Sequence, residues 1–244
     1  MDTETRNEIK IVASKTDFNT RVGVIEAAQI FQDNMCEYYK RLNCDGVNMV
    51  PKCHAFWALT KTKILFDKDI IWLDHCVVKT NLCKLTNVRM NLCSVLSCDQ
   101  NESIFCLQEM CGMDSETRGF RSVDSIPFWP KDVDVIDQYK EINFEKFLYE
   151  MTEENYVTSI KIKNSNVDFF GHTNNVEYVR ILYDMIDYDY LKNAKPIEFE
   201  IHYLKESRLG DELKIYKKQE DNNMIFYIKK DNVVITKARF VFGK

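Results

Sequence analysis

The feature of this sequence that most limits its fold is a pattern that occurs once in each half of the chain. The first copy runs over 17–33 and the second over 168–184, with Asp, Phe, Glu and Asp at matching places. Each copy follows a strand-like run and precedes an amphipathic helix and several more strands. The same order of elements made twice indicates an internal duplication.

Apolar residues at helical spacing predict one helix in each half, at Val24–Leu42 and Asn175–Leu191. Strand patterns are predicted to follow at 55–65, 70–80, 88–97, 104–113 and 118–123 in the first half, and at 197–204, 212–216, 224–228 and 233–241 in the second. A helix followed by an antiparallel sheet, made twice, is an α+β plan. Pairing the halves edge to edge would give one long sheet with fewer exposed edges.

The predicted halves are 1–130 and 151–244, joined by an acidic, helix-like linker at 131–150. The composition, 45% apolar and 29% charged, is ordinary for a globular protein. A net charge of -5 argues against a nucleic-acid partner. No apolar run approaches the ~18 residues of a membrane-spanning helix, and the first residues do not resemble a secretory signal.

The nine cysteines form no C-x-x-C pair, and without a secretory signal they predict reduced thiols in the cytosol. Cys53-His54 is a Cys/His neighbour pair, but no second pair accompanies it at zinc-ligand spacing, so no zinc site is predicted. We therefore expect a cytoplasmic protein with no metal, no cofactor, no nucleic-acid partner and no membrane partner.

The segment 168–178 places a carboxylate, a glycine, an imidazole and two amides directly before the second predicted helix. Asp168 could act as base or nucleophile in a hydrolysis, with His172 orienting it, and a helix start can polarise a carbonyl. Each residue also has a structural interpretation. Asp168 could make a local turn bond, His172 could close the loop, and Asn174 and Asn175 could cap the helix.

The pattern D-x-x-G-H-x-N-N-x-x-Y at 168–178 resembles the hot-dog thioesterases, and the duplication and length make the chain similar to the acyl-ACP thioesterases. Tyr203–Ser207 resembles the place where that family has an aromatic, two residues, a catalytic glutamate and a small residue. Further resemblances to the family's N-terminal strands and hairpin lie at 57–60, 77–80, 108–109 and 114–118.

This resemblance implies a fold of tandem hot-dog domains, each a long helix wrapped by an antiparallel sheet, joined side by side. It implies hydrolysis of fatty acyl-ACP to free fatty acid and carrier protein, in fatty acid biosynthesis. The partner would be acyl carrier protein with a phosphopantetheine-linked acyl chain, and a homodimer is permitted. Two alternatives stay open: an acyl-CoA thioesterase, and a non-catalytic hot-dog protein that binds acyl groups.

The resemblance also assigns roles to residues. The catalytic residues it implies are Asp168, His172, Glu206 and Asn174; the substrate-binding residues are Asn175, Phe170, Gly171 and Trp57. Glu206 would help to activate water, although an exposed, charged strand end is an alternative interpretation of its surroundings.

One departure from the family concerns Phe170, because the acyl-ACP enzymes usually read D-x-N-x-H, whereas acyl-CoA enzymes often read D-x-F-G-H. The first copy of the pattern has Asn19 and Arg21 in place of Phe170 and His172, and Val24 in place of Asn175. We therefore predict that the first half is not catalytic and helps to wall an acyl-chain tunnel.

Overall fold

The structure is a computed structural model that describes residues 3–99, 101–127, 129–136 and 142–243. Its strands are β1 Thr5–Lys10, β2 Ala55–Phe66, β3 His75–Leu85, β4 Arg89–Cys98, β5 Asn101–Asp114, β6 Tyr156–Lys161, β7 Lys195–Tyr203, β8 Glu212–Glu220, β9 Asn223–Lys230 and β10 Val233–Gly243. Its α-helices are α1 Val24–Arg41, α2 Gly46–Cys53, α3 Asn175–Tyr183 and α4 Tyr188–Asn193.

The ten strands form one antiparallel sheet in the order β1-β3-β4-β5-β2-β7-β10-β9-β8-β6. Read outward from the centre, the first half gives its second, fifth, fourth, third and first strands, and the second half repeats that order. The two halves meet where β2 pairs with β7, with Lys63 opposite Glu200. The predicted α+β plan with one long antiparallel sheet is confirmed.

The helices lie on one face of this sheet, and α1 contacts α3. The core between helices and sheet includes Phe31 of α1, Ile64 of β2 and Phe199 of β7, all fully buried. Burying a side chain of this size contributes about 1.5–3 kcal/mol. No helix in the described part of the chain is long and apolar enough to cross a membrane.

The helix of the second half is shorter than predicted: α3 ends at Tyr183, so the prediction of a helix as far as Leu191 is wrong. Asp187 begins a separate helix, α4, because its side chain accepts a hydrogen bond from the Tyr190 N–H at 2.9 Å. The helix α2 was not predicted at all. It is capped in the same way by Asp45.

Two strand predictions are wrong in the first half. The strand predicted at 70–80 begins only at His75, because Ile70 and Trp72 make hydrogen bonds with the loop that precedes α1. The strand predicted at 118–123 is absent, apart from one bridge between Phe120 and Met113. The turn at 115–117, where Asp114 Oδ1 accepts from two backbone N–H groups, precedes this segment.

The predicted linker helix at 131–150 is also wrong for the described residues, 131–136 and 142–150, which contain no helix. Residues 137–141 lie outside the described part. The boundaries predicted for the two halves remain predictions.

Residues 142–150 lie across the face of the sheet opposite to the helices. Lysine side chains of the sheet donate hydrogen bonds to the backbone carbonyls of this segment. Lys63 Nζ donates to the Asn143 carbonyl at 3.2 Å, and Lys237 Nζ donates to the Phe147 carbonyl at 3.1 Å. Because sheet side chains bind these backbone groups, the segment forms its hydrogen bonds without becoming a helix.

Glu200 is fully buried beneath this segment. Its carboxylate accepts from the backbone N–H of Glu145 at 2.9 Å and lies 2.7 Å from His202 Nε2 and 3.2 Å from Lys63 Nζ. Burial raises the pKa of Glu200, but the His202 hydrogen bond and the Lys63 charge outweigh it, so the net pKa is lowered.

The expectation of nine reduced thiols is wrong for one pair, because Cys76 and Cys98 form a disulfide. The register of β3 and β4 places these two residues directly opposite each other. The other seven cysteines are free.

Candidate active site

Asp168 holds the loop that leads into α3. Its Oδ1 accepts from the backbone N–H of Phe170 at 2.9 Å and from that of His172 at 3.1 Å. Gly171 follows with φ +76°, a left-handed conformation that glycine adopts at little cost. Asp168 therefore makes the local turn bond of the structural interpretation, and its carboxylate also lines a cavity. Gly171 shapes the loop and is not among the residues that line the cavity.

The first-half loop has the same backbone design, because Asp17 Oδ1 accepts from the N–H of Asn19 at 2.8 Å and of Arg21 at 3.3 Å. Its side chains act differently. Arg21 pairs with Asp17 at 3.3 Å and donates to the Ala194 carbonyl at 2.5 Å. Asn19 donates to the Leu191 carbonyl at 3.2 Å. This loop is therefore bonded onto the second half.

The two asparagines at the start of α3 have different positions. Asn174 is the N-cap, and its side chain accepts from the Val176 N–H at 2.9 Å. It is not among the residues that line the cavity, so the structure places it as a cap. Asn175, the first residue of α3, does line the cavity, and its carbonyl accepts from the Tyr203 hydroxyl at 3.3 Å.

Glu206 lies in the loop after β7 and reaches His172 from a different part of the chain. Its Oε2 is 3.3 Å from His172 Nε2, and its Oε1 is contacted by the guanidinium of Arg118. Arg118 belongs to the first half, where it follows β5. The two halves of the chain therefore both supply side chains to this group.

His172 Nε2 has two neighbours, and it cannot form a hydrogen bond with both of them at once. Besides Glu206, the Arg208 guanidinium lies 3.2 Å from the same nitrogen. Because arginine only donates, Nε2 must be unprotonated to bond Arg208 and must carry a proton to donate to Glu206. The protonation state of this one nitrogen therefore decides which neighbour His172 binds.

Ser207, next to Glu206, is fully buried and serves the structure of the site. Its hydroxyl lies 2.7 Å from the hydroxyls of both Thr173 and Tyr178, and its backbone N–H donates to Tyr178 at 3.0 Å. Burial raises the pKa of the Tyr178 phenol, which stays protonated. This network ties the loop of Glu206 to the loop of His172.

The cavity has a volume of about 850 Å³ and is lined by both halves of the chain. Trp57 of β2 forms part of its wall; the indole N–H donates to the Cys44 carbonyl at 3.0 Å. Phe170 also lines the cavity and lies close to the start of α2, since a Cβ on Gly46 would lie 2.6 Å from the Phe170 ring. Two of the predicted substrate-binding side chains, one from each half of the chain, thus line the same cavity.

One wall of the cavity carries charge at Glu109. Its carboxylate accepts from the Thr60 hydroxyl at 2.8 Å and pairs with Lys61 at 3.2 Å and Arg89 at 2.7 Å. Burial raises the pKa of Glu109, but the Thr60 hydrogen bond and the two positive charges outweigh it, so the net pKa is lowered.

Among the predicted catalytic residues, Asp168, His172 and Glu206 line the same cavity, and Asn174 is not among its lining residues. Sequence reasoning missed Arg118 and Arg208 as members of the site. Arg118 was noted only as part of a hairpin pattern, and no local signal connects it with a glutamate in the other half.

The α+β fold of this chain is shared with thioesterases of known structure. The chain is similar to an acyl-ACP thioesterase from Bacteroides thetaiotaomicron, with a TM-score of 0.82 and 16% identity, covering 99% of this chain and 98% of that one. It is also similar to the 12:0-ACP thioesterase from Umbellularia californica, with a TM-score of 0.83 and 15% identity, covering 99% and 97%. At these identities the likeness shows the fold. No curated protein matches the chain.

Residues 149–242 match the family model of the acyl-ACP thioesterase C-terminal domain. The predicted resemblance to the acyl-ACP thioesterases is thereby confirmed for residues 149–242. This match to the family model supports thioester hydrolysis of acyl-ACP as the activity.

Proposed function

We propose that this chain hydrolyses fatty acyl-ACP thioesters at the cavity lined by Asp168, His172 and Glu206, in fatty acid biosynthesis in the cytoplasm. The observation that carries the proposal is the 3.3 Å approach of Glu206 to His172 at a cavity between the halves. A carboxylate beside an imidazole, next to space for an acyl group, suits general-base attack by water.

In the proposed reaction, Glu206 takes a proton from water as the water oxygen bonds to the thioester carbonyl carbon. Asp168, oriented by two backbone amides, binds that water at the cavity wall. The tetrahedral intermediate then breaks its C–S bond, and the proton returns from Glu206 to the leaving sulfur. The products are a fatty acid and the carrier thiol.

His172 controls when Glu206 is available in this scheme. While Nε2 carries the proton, it donates to Glu206 Oε2 and orients the carboxylate. When Nε2 is unprotonated it accepts from Arg208 instead, and Oε2 is released to take the proton of water.

The start of α3 supplies the electrophilic part of the site. The first N–H groups of a helix have no partner within the helix and lie at its positive end. Asn175, the first helical residue, lines the cavity, so we assign its N–H to the developing oxyanion.

We further propose that the chain is a pair of tandem hot-dog domains, an interpretation supported by the repeated strand order. The acyl chain would occupy the seam beside Trp57, and the phosphopantetheine arm would enter past Phe170. An acyl-CoA thioesterase is favoured as a second candidate by the phenylalanine at 170, where the acyl-ACP family usually has asparagine.

The test measures free-thiol release from acyl-ACPs of several chain lengths and from the matched acyl-CoAs. We expect a higher kcat/KM on acyl-ACP, and loss of turnover in Glu206→Gln. The opposite preference would identify the acyl-CoA enzyme. Tight acyl binding with no thiol release from either carrier would contradict hydrolysis.

The same preparation distinguishes attack by water from attack by Asp168. A single turnover in heavy-oxygen water should place the label in the fatty acid and leave Asp168 unlabelled. Label in Asp168 would show a covalent route.

A further inference from the structure

We propose that Arg118, supplied by the first half of the chain, is a positioning residue for Glu206; this rests on the proposed hydrolysis. The Arg118 guanidinium contacts Glu206 Oε1, while Oε2 lies 3.3 Å from His172 Nε2. Each carboxylate oxygen therefore has its own partner. With Oε1 held by Arg118, the carboxylate cannot rotate freely, and Oε2 stays directed at His172.

A turn at the end of β5 fixes the position of Arg118. Asp114 Oδ1, at the end of β5, accepts from the N–H of Glu116 at 3.0 Å and from the N–H and hydroxyl of Thr117 at 2.8 Å and 3.1 Å. Arg118 follows with φ +58° and donates its N–H to the Asp114 carbonyl at 3.1 Å. A left-handed conformation is uncommon for arginine, so the surrounding turn must enforce it.

The Arg118 side chain also packs against an aromatic ring. Its guanidinium carbon lies 5.0 Å from the centre of the Phe56 ring, and both residues line the cavity. A planar guanidinium can stack on a ring and donate to a carboxylate at the same time. A lysine would keep the charge but lose this combination, so it should replace Arg118 only in part.

The exposure of the pair argues against a role in stability. The side chains of Arg118 and Glu206 are 40% and 39% exposed. Ion pairs this exposed contribute little to stability, because water screens them. A small displacement of a catalytic group, by contrast, can cost a large factor in rate. Loss of Arg118 should therefore affect kcat far more than unfolding.

The test compares Arg118→Ala and Arg118→Lys with Arg121→Ala as a matched control. Arg121 lies just past the same turn, pairs with Asp114 at 3.6 Å, and is not among the cavity-lining residues. On acyl-ACP we expect Arg118→Ala to lower kcat about 10–100-fold with KM little changed. Arg118→Lys should recover part of the rate, millimolar guanidinium should partly rescue Arg118→Ala, and Arg121→Ala should keep the kcat of the wild type.

A double-mutant cycle shows whether Arg118 acts through Glu206. In a Glu206→Gln background, Arg118→Ala should cause no further loss of kcat, since the group it positions is already gone. Should Arg118→Ala fail to fold, Arg118→Gln keeps the length of the side chain and takes its place in the cycle.

Two results would overturn the inference and leave the proposed function intact. One is that the losses in Arg118→Ala and Glu206→Gln multiply in the double variant. The other is that Arg118→Ala raises KM for acyl-ACP while kcat is unchanged, which would make Arg118 a contact for the carrier. A wild-type protein that releases no thiol would overturn the proposed function and this inference together.

Discussion

Replacing each repeat's aspartate by asparagine should produce opposite effects in the two halves. In Asp168→Asn, the side-chain oxygen can still accept from the N–H groups of Phe170 and His172, now 2.9 Å and 3.1 Å from Oδ1. The loop should therefore keep its shape while the cavity loses one negative charge. This variant isolates the chemistry of the carboxylate from its role in the turn.

The expected loss of turnover in Asp168→Asn follows from the role assigned to its carboxylate. Asp168 is assigned to hold the water that Glu206 deprotonates, and misplacing a reacting group can cost about 10²-fold in rate, which is about 2.7 kcal/mol of activation free energy. Because both loop hydrogen bonds are retained and Asp168 is only partly buried, the free energy of unfolding should change by less than about 0.5 kcal/mol.

In Asp17→Asn the structure predicts the reverse. Asp17 pairs with Arg21 at 3.3 Å, and the two side chains are only 6% and 10% exposed. Removing one partner leaves a buried guanidinium without its counter-charge, at a cost of about 3 kcal/mol. Asp17 is not among the residues that line the cavity, so kcat per folded molecule should stay at the wild-type value.

The assay combines thiol release at saturating acyl-ACP with urea unfolding of both variants. We expect a low kcat with normal stability for Asp168→Asn, and normal kcat with low stability for Asp17→Asn. Comparable losses of kcat in the two variants would refute the assignment of catalysis to the second half. Full kcat in Asp168→Asn would refute the role of its charge.

Three further variants test other parts of the structure. Ser207→Ala should destabilise the protein by about 1–2 kcal/mol in urea unfolding, because buried hydroxyl partners lose their hydrogen bond. Glu200 has a lowered pKa, so its contribution to stability is present above about pH 4.5 and is lost as the pH falls through its folded-state pKa. Glu200→Gln should therefore lose less stability than wild type on acidification, as thermal unfolding would show. Gly46→Ala should displace the Phe170 ring and change KM, and this effect should disappear in a Phe170→Ala background.

The repeated architecture could be predicted because it follows from local patterns. Strand alternation and the apolar face of α1 depend on the spacing of apolar residues, which the sequence displays directly. The copies at 17–33 and 168–184 then predict that each half repeats the same elements. The disulfide between Cys76 and Cys98 could not be predicted, because it depends on the register of two strands.

Features that depend on contacts between distant segments could not be predicted either. The linker has the composition of a helix, yet Lys63 and Lys237 of the sheet donate hydrogen bonds to the Asn143 and Phe147 carbonyls, and the described residues 142–150 form no helix. The motif at 168–178 identifies Asp168 and His172 because these residues are close in sequence. Arg118 contacts Glu206 only because the folded sheet brings the two halves together, and no local sequence pattern predicts that contact.

The difference between the two loops is explained by what the residue at one matched position can reach. Arg21 and His172 both have their backbone N–H bound by the aspartate of their own loop. The long Arg21 side chain reaches the second half and donates to the Ala194 carbonyl, and Arg21 is not among the residues that line the cavity. The shorter imidazole of His172 stops at Glu206 and leaves the cavity open. Arg21→His would supply an imidazole but not Glu206, which contacts His172 in the second half, so we expect this variant to restore no activity in the first half.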